Sequence, residues 1–159
     1  MTGTPARHRT ASAEVSAALL NAAEAVLDRD GTGAVTIRAV ARQAAVAPMS
    51  VYNRFDNKDG LLSALAMRAL DELAEVIDIP DDLGADERFR QSCRAYRDFA
   101  LRHPARYSLI FASGTPLRDQ TSAVAQRGRA VFDILTDLVS GVAAAATPSV
   151  DSIEAAQSV

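Results

Sequence analysis

Basic side chains cluster around one short segment in the first part of the chain. Arg38, Arg54 and Lys58 stand close together in the sequence, and Arg7 and Arg9 precede them. Guanidinium and ammonium groups are the side chains that most often bind the anionic oxygens of nucleic-acid phosphates. Solvated surface charges would account for the same residues without any partner. Which of these two interpretations applies, phosphate binding or solvated surface charge, depends on the helices that position these side chains.

The charge of the chain is unevenly distributed. Residues 1–60 contain seven Arg and Lys against six Asp and Glu, whereas residues 61–159 contain ten against fourteen. The whole chain has a net charge of −3 at pH 7. A protein of this charge contacts nucleic acid through a local basic surface rather than through its overall field. We therefore expect any DNA contacts in the first part.

Groups suited to catalysis or to metal binding are scarce. His8 stands in the polar first stretch, and His103 lacks a recognisable partner in the sequence. No phosphate-binding loop and no zinc-ligand spacing is present. The single cysteine, Cys93, excludes an internal disulfide, and we expect it to be a buried apolar side chain. The sequence predicts a protein that is not an enzyme and uses no metal or cofactor.

The composition and the apolar periodicity predict an all-α, water-soluble fold. Hydrophobic residues make up 48% of the chain. No apolar run reaches the roughly 18 residues that a membrane span needs. No signal-peptide pattern follows the first arginines, so we expect a cytoplasmic location without membrane contact. From Val15 onward, apolar residues recur with the period of a helix, and no stretch alternates with the period of a strand.

The first part of the chain contains a helix-turn-helix pattern. Residues 1–11 lack apolar periodicity and are predicted to form a flexible basic arm. Residues 12–57 contain a first amphipathic helix and then two short ones, the first of which Thr36 can cap. Two short helices joined by a tight turn can place the second helix in the major groove of DNA. The same spacing also fits ordinary helix packing.

Residues 58–159 have the pattern of further helices. Pro80 ends a long fourth helix, Pro104 separates a fifth helix from a short sixth one, and a seventh helix runs to about Ala146. Short connections between apolar helical stripes favour antiparallel packing. The sequence therefore predicts an antiparallel helical bundle behind the helix-turn-helix.

The run from Thr36 to Leu62 resembles the DNA-binding signature of the TetR family of bacterial regulators. A second segment, from Tyr96 to Phe111, resembles one subgroup of the family's ligand domains. The residues that carry the resemblance are Asp30-Gly31 at the end of the first helix, the Tyr52-x-x-Phe55 pair, Lys58 with Leu61-Leu62, Phe99-Ala100, His103-Pro104 and Tyr107-x-x-x-Phe111.

The resemblance implies sequence-specific binding to double-stranded operator DNA. One group of positions in the family usually contacts phosphates, and a second group begins the recognition helix and faces the bases. Core packing is the alternative interpretation for Met49, and the ring of Tyr52 can pack while its hydroxyl protrudes. In this chain the first group is Thr36, Arg38, Tyr52 and Lys58, and the second is Pro48, Met49, Ser50 and Asn53; Ala47, at the cap of the recognition helix, is a further candidate for DNA binding.

The resemblance also implies a regulator, in this family usually a repressor, that a small molecule releases from DNA. The C-terminal bundle, residues 58–159, would bind this effector and form the dimer. Binding cavities are mostly apolar with a few polar anchors, so we expect a small apolar or amphipathic effector. Core packing accounts for the same candidate residues. They are Phe89, Cys93, Tyr96, Phe99, Tyr107, Phe111 and Leu135.

This chain departs from the family pattern at two places. Ala45 and Ala47 stand where the family usually has Gly in the turn and Ser or Thr at the cap of the recognition helix. The final helices, which usually form most of the dimer interface, have no counterpart after Thr147. The alternative hypothesis is therefore a shortened relative that does not bind DNA and acts as a ligand-binding or protein-interaction module.

The seventh helix has more apolar residues than one packing face needs. Leu135 and Leu138 share one side of it, whereas Phe132 and Val139 lie elsewhere on its surface. Large apolar patches that face solvent usually mark an interface. We therefore predict a homodimer formed largely through this helix.

Overall fold

The computed structural model describes the backbone of residues 6–112 and 122–146, and the side chains of these ranges from Glu14 onward. The described residues form seven α-helices and one short 3-10 turn, Thr32–Ala34, and contain no β-strand. This confirms the predicted all-α fold class. The helices are α1 (Ala6–Asp30), α2 (Ile37–Gln43), α3 (Pro48–Phe55), α4 (Lys58–Ile77), α5 (Ala85–Arg102), α6 (Pro104–Phe111) and α7 (Ala123–Ala146).

Helix α1 begins earlier than the apolar pattern predicted. It starts at Ala6, so the prediction that residues 1–11 form a flexible arm ahead of the first helix is wrong for residues 6–11, which belong to α1. Residues 1–5 lie outside the described part of the chain. Alanine and arginine, which recur in this stretch, are among the strongest helix formers. A helix rich in such residues can continue beyond the turns that pack against the core. Its extra turns then show no apolar periodicity in the sequence.

One apolar core runs from the helix-turn-helix into the C-terminal helices. Leu19 of α1, Val40 of α2, Val51 of α3, Leu65 of α4 and Ile110 of α6 are all buried in it. Helix α4 contacts α1 and α3 as well as α5, α6 and α7. The helix-turn-helix therefore rests on the same long helix as the rest of the fold. Within the described ranges, no helix has the length and apolar character that crossing a membrane requires.

Candidate DNA-binding surface and effector cluster

A capped turn starts helix α2. Thr36 has an extended backbone, and its Oγ1 accepts a hydrogen bond from the Ala39 N–H at 3.1 Å. This confirms the capping role predicted for Thr36. A hydroxyl has a donor O–H as well as acceptor lone pairs, so exposed Thr36 can cap α2 and still donate to a phosphate oxygen.

The turn between α2 and α3 contains an alanine in a left-handed conformation. Ala45 has a φ of 55°, and the Val46 N–H closes the end of α2 by donating to the Ala41 carbonyl at 2.9 Å. Glycine is the usual residue in such a turn, because a Cβ there costs roughly 1–2 kcal/mol. Ala47 then precedes α3 without a side-chain cap, and Pro48 occupies its first turn. The turn has the geometry that a helix-turn-helix requires, at some cost in stability.

Helix α3 turns a mixed polar and apolar face to solvent. Val51 is completely buried and thereby fixes which side of the helix faces the core. Met49 and Tyr52 are 63% and 47% exposed, and Ser50 and Asn53 are exposed beside them. Packing against the core therefore does not account for Met49 or Tyr52. A thioether, a phenol, a hydroxyl and an amide on one helix surface match the hydrogen-bonding edges and thymine methyl groups of the major groove.

The junction of α3 and α4 depends on a glycine. Asn57 caps α4 by accepting a hydrogen bond from the Gly60 N–H at 2.8 Å, and Lys58 is exposed in the first turn. A Cβ on Gly60 would collide with the backbone carbonyl oxygen of Phe55. The end of α3 and the start of α4 can approach this closely only with glycine at this position. Gly60 therefore fixes where Lys58 stands relative to α3.

Three aromatic side chains of α5 and α6 form a cluster, which we call the effector cluster. The ring of Tyr107 lies 6.1 Å from that of Tyr96 and 4.7 Å from that of Phe111, and the rings of Tyr96 and Phe111 are 6.4 Å apart. The hydroxyl groups of Tyr96 and Tyr107 share a hydrogen bond of 3.3 Å, in which either can be the donor. The cluster thus combines an apolar surface with one pair of polar groups.

The two tyrosine hydroxyls of the effector cluster differ in their surroundings. Burial, which deprives the phenolate of hydration, and the hydrogen bond with Tyr107 together raise the pKa of Tyr96 to about 12. Tyr96 therefore stays neutral well above physiological pH. A neutral phenol both donates and accepts hydrogen bonds, so the pair suits an uncharged polar group better than a cation.

The other predicted pocket residues do not join this cluster. Phe99 is fully buried against the His103 ring at 5.4 Å, and Phe89 and Leu135 are half-buried. Cys93 is exposed, so the prediction that it is a buried apolar group is wrong. Helix α5 buries Ser92 and Phe99, seven positions apart on one face, and Cys93 falls beside that face rather than on it.

A surface groove opens next to the effector cluster, between α4, the end of α6 and α7. Its volume is about 430 Å³. Phe111 is the one predicted pocket residue that lines it. The other lining residues are Leu70, Ala125, Gly128, Arg129, Val131 and Phe132.

Two family models match the chain. Residues 19–65 match the model described as bacterial regulatory proteins of the tetR family, and residues 89–159 match the tetracyclin repressor-like C-terminal domain. The first match contains the helix-turn-helix, and the second contains the helices of the effector cluster. The chain belongs to the TetR family.

The curated relatives that match this chain are named as HTH-type transcriptional regulators. An HTH-type transcriptional regulator of Mycobacterium tuberculosis H37Rv is 30% identical over 129 residues, which are 76% of this chain and 55% of the relative. An uncharacterized HTH-type transcriptional regulator of Bacillus subtilis 168 is 28% identical over 90 residues, which are 56% of this chain and 47% of the relative. This TetR-family chain therefore spans about half the length of the curated relatives it matches.

Solved structures share its fold. A protein of unknown function from Rhodococcus sp. RHA1 superposes with a TM-score of 0.70 at 28% identity, covering 82% of this chain and 69% of that one. A regulatory protein of the tetR family from Rhodococcus RHA1 gives a TM-score of 0.64 at 22% identity, with coverage of 82% and 70%. The second likeness concerns the fold alone.

All nine residues that the TetR resemblance assigned to DNA binding are exposed between α2 and the first turn of α4. Arg42 was missed by the sequence argument; it follows Arg38 by one helical turn on α2 and is also exposed. Asp56 and Asp59 lie in the same segment and reduce its positive charge. The nine residues are Thr36, Arg38, Ala47, Pro48, Met49, Ser50, Tyr52, Asn53 and Lys58.

Proposed function

We propose that this TetR-family chain is a transcriptional repressor that binds operator DNA through α3 and leaves it when a small molecule binds among the C-terminal helices. The outer face of α3 carries the proposal. Met49, Ser50, Tyr52 and Asn53 are presented together because buried Val51 holds the opposite side of the helix in the core. Direct contacts to base edges need this kind of surface on a rigid helix.

Phosphate contacts would fix the position of α3 in the groove. Arg38 and Lys58 supply cations on either side of it, Thr36 supplies a hydroxyl, and the exposed phenol of Tyr52 supplies another donor. The amides at the start of α4 favour an anion as well. These contacts orient the protein, whereas Asn53 and Ser50 would distinguish base sequences.

The effector cluster supports a neutral, amphipathic effector. Tyr96, Tyr107 and Phe111 supply aromatic surface, and their hydroxyl pair supplies a donor and an acceptor. Ser92 lies one helical turn from Tyr96 on α5; its buried hydroxyl has no hydrogen-bond partner in the described part of the chain. A ligand that opened this region would therefore find three hydroxyl groups and little charge.

A homodimer formed by the outer face of α7 would supply the second recognition helix. Phe132 and Val139 are 67% and 55% exposed on α7, whereas Leu138 is buried in the same subunit. Two helices related by a two-fold axis read both halves of a palindromic site, which multiplies one weak set of contacts.

Selection of binding duplexes from a random pool, followed by a gel shift, tests the DNA-binding proposal. We expect enrichment of a palindromic sequence that the protein shifts and a scrambled duplex of the same composition that it does not. The Asn53→Ala variant should shift the selected duplex more weakly while remaining folded. Failure to enrich any sequence would contradict the proposal and favour a module that binds ligands or proteins without DNA.

A further inference from the structure

Arg106 occupies the junction of α1, α4 and α6. Its Nε and Nη2 donate to the two carboxylate oxygens of Asp28 at 3.2 and 2.7 Å, and its Nη1 donates to Glu72 at 2.6 Å. The Arg106 side chain is only 14% exposed. A guanidinium that binds one carboxylate with two parallel hydrogen bonds fixes both distance and direction, which a lysine cannot do.

These hydrogen bonds join the helix-turn-helix to the C-terminal helices. Asp28 lies on α1, which packs against α2, whereas Glu72 and Arg106 lie on α4 and α6. One helical turn earlier on α1, Glu24 pairs with Arg68 of α4 at 3.0 Å. Glu24 and Asp28 share one face of α1. That face is therefore held to the C-terminal helices at two points.

We propose that Arg106 is a positioning residue that sets the orientation of the helix-turn-helix relative to the C-terminal helices and thereby supports operator binding. Apolar burial has little directional preference, so a guanidinium–carboxylate pair specifies the orientation of α1 more sharply than burial alone does. The paired hydrogen bonds to Asp28 fix both the distance and the direction between α1 and α6 at this point. A rotation of α1 would carry α2 and α3 with it and misplace α3 in the groove.

The charges around Arg106 add an electrostatic reason for this positioning role. Glu24, Asp28 and Glu72 converge on the junction, and Arg106 and Arg68 are the cations paired with them. Burial raises the pKa of Glu24, and the two arginines oppose that rise. Removal of the Arg106 charge leaves neighbouring carboxylates that repel one another across the contact between α1 and the C-terminal helices. The junction should then open on the side of α1.

Arg127 provides a matched control. Its Nη1 donates to Asp71 at 2.7 Å and joins α7 to α4. This ion pair also connects two helices that are distant in sequence, but both belong to the C-terminal bundle. Loss of the Arg127 pair therefore removes a contact between α7 and α4 and leaves the hydrogen bonds between Arg106 and Asp28 in place.

The test compares Arg106→Met, Arg106→Lys and Arg127→Met in two measurements. The first is the distance between spin labels on exposed Cys93 of α5 and on an Arg42→Cys substitution in α2, with labelled protein diluted into unlabelled protein. We expect Arg106→Met to broaden or shift the distance distribution, Arg106→Lys to do so in part, and Arg127→Met to leave it unchanged. Asp28→Asn, which keeps the pair with Glu72, replaces Arg106→Met if that variant does not fold.

The second measurement is affinity for a selected operator duplex and for a random duplex, and it rests on the proposed DNA binding. Arg106→Met should weaken operator binding by about tenfold and change random-duplex binding by less than about twofold, since coupling between distant sites is of this size. An unchanged label distance with Arg106→Met, or an equal change with Arg127→Met, would overturn the proposal. If no duplex is selected, DNA binding fails, and the label distance still decides the role of Arg106.

Discussion

Helices α3 and α7 both turn large apolar side chains to solvent, but their polar neighbours differ. On α3, exposed Met49 and Tyr52 alternate with the exposed polar side chains of Ser50 and Asn53. On α7, the hydroxyl of Thr136 donates to the Phe132 carbonyl of its own helix at 2.9 Å. An apolar surface interleaved with hydrogen-bonding groups suits base edges, whereas Phe132 and Val139, which flank a hydroxyl that bonds within its own helix, suit another apolar surface.

Charged substitutions at two adjacent positions of α7 should have different outcomes. Leu138 is 4% exposed, whereas Val139 is 55% exposed. Leu138→Glu buries an unpaired charge and should cost more than about 4 kcal/mol, so we expect it to unfold the protein. Val139→Glu should leave the helical circular dichroism intact and yield a monomer by light scattering. A Val139→Glu variant that stays dimeric would show that the outer face of α7 is not the interface.

Substitutions on the DNA-facing side should separate specificity from general affinity. Asn53→Ala removes an amide that we propose faces the bases, and it should cost about 1–3 kcal/mol of operator binding, with relaxed preference at one base pair. Lys58→Ala removes a proposed phosphate contact and should weaken all sequences alike. Binding measurements on a panel of operator variants distinguish the two. If Asn53→Ala lowered the affinity for every operator variant equally, the proposal that α3 reads bases would be contradicted.

A substitution in the turn between α2 and α3 should change the stability of the protein without altering the exposed faces of α3 and α7. Ala45→Gly relieves a positive φ of 55° and should raise the free energy of unfolding by about 1 kcal/mol. Ala44→Gly is the matched control: Ala44, the C-cap of α2, has a negative φ of −84° that alanine adopts without strain, so glycine there should lower the free energy of unfolding. Urea unfolding measures both. A destabilising effect of Ala45→Gly would contradict the left-handed turn.

The ionisation of Tyr96 should have a small effect on the free energy of unfolding, and only at alkaline pH. Its pKa in the folded protein, about 12, lies above the ordinary value of 10.0. The neutral phenol therefore contributes stability that is complete below pH 10 and is lost as the pH rises toward 12. Tyr96→Phe should make the free energy of unfolding fall less steeply across this window. Tyr107→Phe, which removes the shared hydrogen bond, should lower the pKa of Tyr96 in an absorbance titration; no change in either variant would contradict this account of the cluster.

The helix-turn-helix was more predictable from sequence than the C-terminal bundle because its signals are local. The cap at Thr36, the burial of Val51 and the break at Pro48 each depend on residues within one or two turns. On α5, the apolar pattern favoured a face containing Cys93, whereas the structure buries Ser92. A small polar residue gives no apolar signal, so the pattern alone could not find it.

Residues that act through tertiary contacts gave no sequence signal. Arg106 lies 78 positions from Asp28, and no local rule connects them. The sequence does not distinguish Gly60 from any other glycine in a first helical turn. Only the structure shows its close approach to the Phe55 carbonyl oxygen. Packing between distant elements decided both roles, and only the structure supplies it.

Salt dependence of operator binding tests the central claim, that the α2–α4 segment carrying Arg38 and Lys58 binds DNA. Fluorescence anisotropy with the selected duplex should give a logarithm of affinity that falls linearly with the logarithm of salt concentration. If Arg38 and Lys58 of both subunits of a dimer displace counterions, the slope should be about −4 and should become less steep in Lys58→Ala. An affinity that stays constant from low to moderate salt would contradict the claim.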